Sequence, residues 1–365
     1  MSTFVVSKNK ESLESWYLGE RSRFDSLGNK IVSILTEIIE TEEIQIHSIS
    51  SRSKEVKSFL NKAMKEKYKN PLEEIHDLAG IRIITFVRSD VEKISNIIKR
   101  TFSIDNENSI DKGAELGIDK VGYRSVHFVA EMTEDRLRLA DYQRYTGMKF
   151  EIQVRTIMEH AWADLSHDRN YKFNGVLPNE KDIKRRFSLI AATIELLDRQ
   201  FDELANEIDS YDEEVKKSLA DGLKLIEVDS TTLSNYLKIE FSDKIANGTI
   251  SPNFNGQDKR VIEELKLFGI CTISELDEII IDKIGEEQNF TGMIRHFMMA
   301  NNPMKYFKEV WTKESWTVFE EDSLKLILGE NPDLANALIE YGHDIEVELE
   351  DENGDYLPVE EYLRQ

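Results

Sequence analysis

The segment Phe150-Glu151-Ile152-Gln153-Val154-Arg155-Thr156, followed by His160-Ala161-Trp162, concentrates more chemistry than any other part of the chain. Polar Glu151, Gln153 and Arg155 alternate with apolar Phe150, Ile152 and Val154, a period of two that marks a strand with one buried face. The other face then carries a carboxylate, an amide and a guanidinium in a row. An acid, a hydrogen-bonding group and a fixed cation on one strand suit the handling of phosphate. A solvated strand face fits this heptapeptide equally well, so the reading depends on its company.

Three further segments supply that company. In Asp77-Leu78-Ala79-Gly80-Ile81-Arg82, an aspartate stands just before a β-branched run, with a glycine that lets backbone approach closely. Such an Asp is a reasonable Mg²⁺ ligand at a strand mouth. In Gly122-Tyr123-Arg124-Ser125-Val126-His127, Tyr123, Ser125 and His127 share one strand face. Tyr123 could stack on a base, and His127 could hydrogen-bond a phosphate or a sugar. From Arg52-Ser53-Lys54 onward, Lys54, Lys57, Lys62 and Lys65 recur at three to five residues and could line a triphosphate groove from one broad helix face. Each segment alone has an ordinary alternative: an acidic turn, a polar strand, a solvated basic helix.

These residues need positioning elements. Residues 11–40 read as an amphipathic helix, with Leu13, Tyr17, Phe24, Leu27, Ile31, Ile34 and Leu35 at three- and four-residue steps. The pattern then predicts a basic helix over 53–69, a strand over 80–87, a helix over 90–100 and a loop over 103–122. It continues with strands over 124–132 and 149–155, a helix over 157–167 and a long helix from about 179 to 223. The last carries Phe187, Ile190, Ile194, Leu197, Phe201, Leu204 and Ile208 as in a coiled-coil seam or a packed helical hairpin. Alternation of strands and helices argues for an α/β (α+β) domain, a small mixed sheet flanked by helices, over residues 1–225. Residues 226–365 read as a mainly helical, acidic accessory domain. Within it, the stretch from Asn331 to Pro358 has the look of one ankyrin-type unit: a helix, a Gly342 turn and an acidic loop.

Composition bounds the function. The single cysteine, Cys271, excludes a disulfide framework and a cysteine-rich metal site. No apolar run approaches the roughly 20 residues that span a bilayer, and Met1 to Lys10 holds no signal-peptide core, so a cytoplasmic protein without membrane contact is expected. The net charge of −23 is unevenly spread: residues 1–200 sum to zero and residues 201–365 hold the whole imbalance. The chain thus pairs a polyanion-competent half with an acidic one.

Taken together and in this order, the four segments resemble the synthetase domain of the RelA/SpoT family, which makes (p)ppGpp; the resemblance covers roughly residues 40–205. It implies a nucleotidyltransferase-like fold and a GTP diphosphokinase, an enzyme that moves the β,γ-pyrophosphate of ATP to the 3′-hydroxyl of GDP or GTP and releases AMP. By that resemblance Asp77 and Glu151 are the catalytic pair and the Mg²⁺ ligands, with Glu151 also the base. Lys54, Lys62 and Lys65 bind the ATP phosphates, and Arg52 and Arg82 sandwich the adenine. Tyr123 stacks on the guanine, with His127, Gln153 and Arg155 beside the acceptor nucleotide. The loop before Tyr123 departs from the family pattern, although Lys112 and Lys120 within it could still meet acceptor phosphates.

That departure leaves a second acceptor open. Some toxic relatives resemble the same core and pyrophosphorylate the 3′ end of tRNA, and the acidic half would then act as a built-in inhibitor bound to the synthetase domain itself, or would bind another protein; a homo-oligomer is also compatible with the chain. The dipeptides His76-Asp77 and His167-Asp168 do not imply hydrolysis, because the helical hydrolase domain of long relatives has no counterpart before Arg52. His160, Asp164 and His167 share a helix face, where packing is favoured over zinc. Trp311, Trp316 and Phe319 are read as core in preference to a docking patch.

Overall fold

A computed structural model of the chain describes residues 9–113, 125–172, 180–280, 288–350 and 356–364. The chain divides into two compact units, Met1–Asn206 and Glu207–Gln365.

The first unit is an α/β layer structure. Helix α1 (Lys10–Thr41) starts where the Asn9 side chain accepts the Glu11 amide, and it buries Leu13, Tyr17, Phe24, Leu27, Ile31 and Leu35. Strand β1 (Ile46–Ser53) follows, then α2 (Val56–Ala63), a short turn α3 (Pro71–Glu74), β2 (Ala79–Thr85), α4 (Arg88–Thr101), β3 (Phe102–Asp111) and β4 (Val126–Met132). A short α5 (Glu134–Leu137) leads to β5 (Phe150–Thr156), α6 (Ile157–Lys172) and the long α7 (Glu180–Ala220), within which the division between the units falls. The sheet order is β1-β2-β5-β4-β3, with only β2 and β5 parallel. One face buries Ile81, Ile83, Phe150, Ile152 and Val154 together with the apolar stripes of α1 and α4. Each such side chain contributes roughly 1.5–3 kcal/mol of burial, and this fixes which face is left for polar residues.

Three expectations are corrected here. The basic helix expected over 53–69 is only eight residues long, and Ile46–Ser53 ahead of it is a strand that pairs antiparallel with β2. Its serines cost little on a sheet edge with one polar face. Likewise the loop expected over 103–122 contains β3, the opposite edge of the sheet, whose polar residues face water; residues 114–124 lie outside the described set. Along α7 the expected seam is not packed in a hairpin, since Ile190, Phe201, Leu204 and Ile208 of that seam are all more than half exposed.

The second unit is mainly helical around its own core. It comprises α8 (Ser230–Glu240), α9 (Ser242–Ala246), β6 (Ile250–Ser251), α10 (Asp258–Leu267), α11 (Ile273–Asp277), β7 (Gln288–Asn289) and α12 (Phe290–Asn301). A single turn, α13 (Pro303–Lys305), precedes β8 (Val318–Phe319), α14 (Glu321–Glu330), α15 (Asp333–Tyr341), β9 (Glu346–Glu350), β10 (Tyr356–Pro358) and α16 (Val359–Tyr362). α12 is apolar nearly all round and sits at the centre of the core. On it, buried Arg295 forms a two-pronged ion pair with Glu264 of α10 (Nε–Oε2 2.8 Å, Nη2–Oε1 2.7 Å). The ankyrin-like reading of the tail is overturned. After α15 the chain forms β9 and β10 of a three-stranded sheet ordered β10-β9-β8, not a second repeat element. Phe319 is buried and Trp311 and Trp316 pack against the same core.

Candidate active site

Sheet register assembles the site. Arg52 of β1 pairs with Gly80 of β2, which pairs with Glu151 of β5. Two residues along, Ser50 pairs with Arg82, Arg82 with Gln153, and Gln153 with His127 of β4. Four strands therefore present Arg52, Arg82, Glu151, Gln153 and His127 in two adjacent rows on one face. Gly80 leaves the space between Arg52 and Glu151 empty; a Cβ there would stand 3.7 Å from the Arg52 carbonyl.

Over this face lies a cavity of about 690 Å³. Its walls include Arg52, Lys54, Lys62, Lys65, Asp77, Arg82, Glu151 and Gln153, so most of the residues expected from sequence converge there. Lys54 is fixed at the end of β1, where its carbonyl accepts the Tyr17 hydroxyl of α1 at 2.6 Å and its amide donates to the Leu78 carbonyl. Arg21 of α1 also donates to Ser53 Oγ at 3.0 Å. α1 thus clamps the strand end that delivers Lys54, a role that its apolar stripe alone did not reveal.

Asp77 receives Lys54 Nζ at 2.5 Å and Lys62 Nζ at 3.0 Å, both on Oδ2. Burial pushes its carboxyl up, but the two ammonium groups outweigh this and hold it below the usual carboxylate range. For Lys62, burial acts downward and the Asp77 charge overcomes it, so its pKa is raised. Glu151 is gripped on both oxygens: His127 Nδ1 lies 2.9 Å from Oε1, and Gln153 Nε2 donates to Oε2 at 3.0 Å. Burial raises its pKa and the Asp77 charge adds to that, but the His127 contact with the Gln153 hydrogen bond prevails, and Glu151 is held low. Both carboxylates are therefore ionised at neutral pH, and Glu151 senses the Asp77 charge.

This donor set fits Mg²⁺. Asp77 Oδ1 is buried with no hydrogen-bond partner among the described residues. An unused carboxylate oxygen beside a second carboxylate is what Mg²⁺ takes when substrate phosphates and water complete its shell. Among the described residues no group of three or more His, Cys, Asp or Glu could hold a metal by itself, so the phosphates would have to contribute.

Not every expected residue lines the cavity. Arg155 is only 3% exposed at its side chain and lies against α6, with Nη2 3.8 Å from Asp164, which also approaches His160 at 3.5 Å. The guanidinium is an internal support for the end of β5 and not a group open to the cavity. His127 contacts Glu151, which lines the cavity, at 2.9 Å. Lys112 is half-buried, its amide bonded to the Ser125 carbonyl beside β4. Tyr123 and Lys120 lie outside the described residues. Sequence reasoning missed Tyr68, which lines the cavity beside Lys62, and the reciprocal cap that starts α6: Thr156 N donates to Glu159 Oε2 at 3.0 Å and Glu159 N to Thr156 Oγ1 at 3.1 Å. Its signal, Thr-x-x-Glu, was legible. Arg88 anchors Glu159 at 3.0 Å and Asp198 of α7 accepts from Thr156 at 2.8 Å, so α4 and α7 both brace the exit of β5.

Comparison with known proteins bears on this geometry. Residues 51–176 match the family model described as the region found in RelA / SpoT proteins. The chain is similar to the GTP pyrophosphokinase YwaC of Bacillus subtilis (strain 168), 33% identical over 149 residues that cover 37% of this chain and 63% of that relative. It is also similar to the GTP pyrophosphokinase YjbM of the same organism, 29% identical over 178 residues that cover 46% of this chain and 76% of that relative. Among solved structures, small alarmone synthetase 2 from Bacillus subtilis is similar at 28% identity and a TM-score of 0.44, covering 52% of this chain and 98% of that one. The chain thus spans somewhat under two thirds of the first of these relatives, and all these matches leave much of it uncovered. The four strands that bring an acid pair and a set of cations to one cavity lie largely inside the segment, residues 51–176, that matches the region found in RelA / SpoT proteins.

Proposed function

We propose that the first unit transfers the β,γ-pyrophosphate of ATP to the ribose 3′-hydroxyl of GDP or GTP and releases AMP. The observation that carries this reading is the ionised Glu151, held by His127 and Gln153, in one cavity with Asp77 and the cations Arg52, Lys54, Lys62, Lys65 and Arg82. The match of residues 51–176 to the RelA / SpoT region and the names of the two relatives support it.

In this mechanism Glu151 takes the proton of the 3′-hydroxyl while that oxygen attacks the β-phosphorus. The bond from the β-phosphorus to the oxygen that bridges to the α-phosphate breaks, and AMP departs with that oxygen. Arg52 and Arg82, in neighbouring rows on adjacent strands, take the adenine face to face by cation–π contact. Lys54, Lys62 and Lys65 meet the polyphosphate, where charge gathers in the transition state. Before substrate arrives, Asp77 holds two of these lysines in place. Mg²⁺ bound by Asp77 and Glu151 would draw charge from the phosphate oxygens. His127 and Gln153 keep Glu151 ionised and aimed, and Tyr123 with Lys112 and Lys120 receive the acceptor.

The test is transfer from γ-labelled ATP by the purified full chain, offered GDP, GTP or bulk tRNA in parallel. Label on a guanosine nucleotide is the expected result. Label on tRNA alone would assign the other acceptor to the same chemistry, and label on none would sink the proposal.

A further inference from the structure

The second unit contains a cavity of about 430 Å³ that has no part in pyrophosphate transfer. It lies between the first turns of α12 and the segment from Trp316 to Ile327. That volume falls in the range of small-molecule sites. One wall is apolar, with Trp316 and Phe319 edge-on at 4.6 Å and Met299 beside them. The other wall is polar, and its hydrogen-bonding capacity is lopsided.

On the polar wall the amide oxygens of Asn289 and Gln257 are engaged within the protein, and one Glu320 oxygen accepts Ser323 Oγ. Asn289 Oδ1 accepts the Gly292 amide at 3.0 Å, and Gln257 Oε1 accepts Arg295 Nη2 at 3.0 Å. What these residues have left are donors: Asn289 Nδ2, Gln257 Nε2 and Arg295 Nη1 have no partner among the described residues. Arg295 is 6% exposed, yet it lines the cavity. The amino end of the twelve-residue α12 adds its partial positive charge on the same side. A ligand must therefore bring acceptor oxygens to this wall and a flat apolar body to the other.

Charge narrows the class further. Arg295 is already matched by Glu264, and Glu320 stands at the rim. Residues 207–365 hold 36 Asp and Glu against 15 Lys and Arg, a field that opposes multiply charged anions. A cation would leave the spare donors unanswered. From this balance we infer that the second unit binds a small aromatic carboxylate carrying one negative charge. Donor hydrogen bonds to its carboxylate outweigh the weak repulsion of the surrounding field, and Trp316 and Phe319 cover its ring.

The experiment is hydrogen exchange read by mass spectrometry on the full chain, with indole-3-acetate as the monoanionic aromatic probe. Benzylamine serves as the cation and phenyl phosphate as the dianion. Indole-3-acetate should slow exchange over residues 289–299 and 316–327, and more so as salt is added, while the other two leave both segments unchanged. Gly292 offers the matching variants, since a Cβ there meets nothing closer than Asn289 Oδ1 at 3.9 Å. Gly292→Ala should weaken binding modestly and Gly292→Leu, whose side chain enters the cavity, by about tenfold or more. If Gly292→Leu fails to fold, the alanine variant together with the probe series still decides. Protection by benzylamine or phenyl phosphate instead, protection confined to residues 50–82, protection indifferent to both Gly292 variants, or no protection would each overturn the inference.

Discussion

Replacing His127 by alanine should move the acid limb of the pH–rate profile upward. Glu151 must be ionised to act as a base, and rate is lost as pH falls through its pKa in the folded protein. In the native site burial and the Asp77 charge raise that pKa, while the hydrogen bonds of His127 and Gln153 lower it and prevail. The native limb therefore lies below the usual carboxylate range. Both partners are well shielded, at 11% and 19% side-chain exposure, so solvent screening takes little from their interaction. A hydrogen bond to an ionised group contributes about 1.5–3 kcal/mol, and ~1.4 kcal/mol is a factor of ten in a protonation equilibrium. In the alanine variant the limb should rise by about one to two pH units, with kcat at the alkaline plateau much less affected. A depressed carboxylate stabilises the fold above its unfolded pKa, and that stability is lost as pH falls through its folded value. The variant should therefore lose stability near neutral pH and less of it in acid. His127→Asn, which can restore a donor near Nδ1, should return the limb toward its native position. A steady-state rate profile carried from neutral pH down to below the usual carboxylate range would show this, and an unmoved limb in His127→Ala would refute both the contact and the assignment of Glu151 as base.

Further outcomes follow from the same geometry. Glu151→Gln should reduce kcat by about 10²–10⁴ with ATP binding largely kept; full activity in this variant removes Glu151 from the mechanism. Chelation should abolish transfer and Mg²⁺ should restore it, and Asp77→Asn should demand more Mg²⁺ for half-maximal rate, since Oδ1 is the unclaimed carboxylate oxygen. Gly28→Ala should cost about 1–3 kcal/mol in denaturant melts, because a Cβ on that turn of α1 would stand 2.9 Å from the Ser51 Cβ. Arg295→Met should destabilise the second unit by about 1.5–3 kcal/mol, as it removes both short hydrogen bonds from buried Glu264 and leaves it only Arg260 at 3.6 Å; a small change in calorimetry would count against that ion pair.

Much of the site was legible because its residues obey a short period. Glu151, Gln153 and Arg155 could be put on one strand face from alternation alone, and so could Ile81 and Ile83 on the buried side of β2. β1 and β3 were not legible. Both are edge strands with polar faces, so neither shows the apolar alternation that gives a strand away, and only pairing with β2 and β4 makes them strands. Arg155 shows the limit of the same pattern. Alternation tells which face a side chain takes but not what covers that face farther along. Here α6, started by the Thr156–Glu159 cap, closes over the end of β5 and buries the guanidinium.

By itself the sequence determined the residue types at the site, the strand face they share and the concentration of charge imbalance in residues 201–365, because these depend on local period and composition. Only the tertiary structure decided which of them meet. Register between β1, β2, β5 and β4 sets Arg52, Arg82, Glu151 and His127 side by side, though more than seventy residues separate the first from the last. It also decided that Lys54 and Lys62 close on Asp77, and that His127 meets Glu151. Those pairings depend on hydrogen-bond ladders between distant strands and on the clamp of α1 over the end of β1, and no local pattern in the chain encodes either.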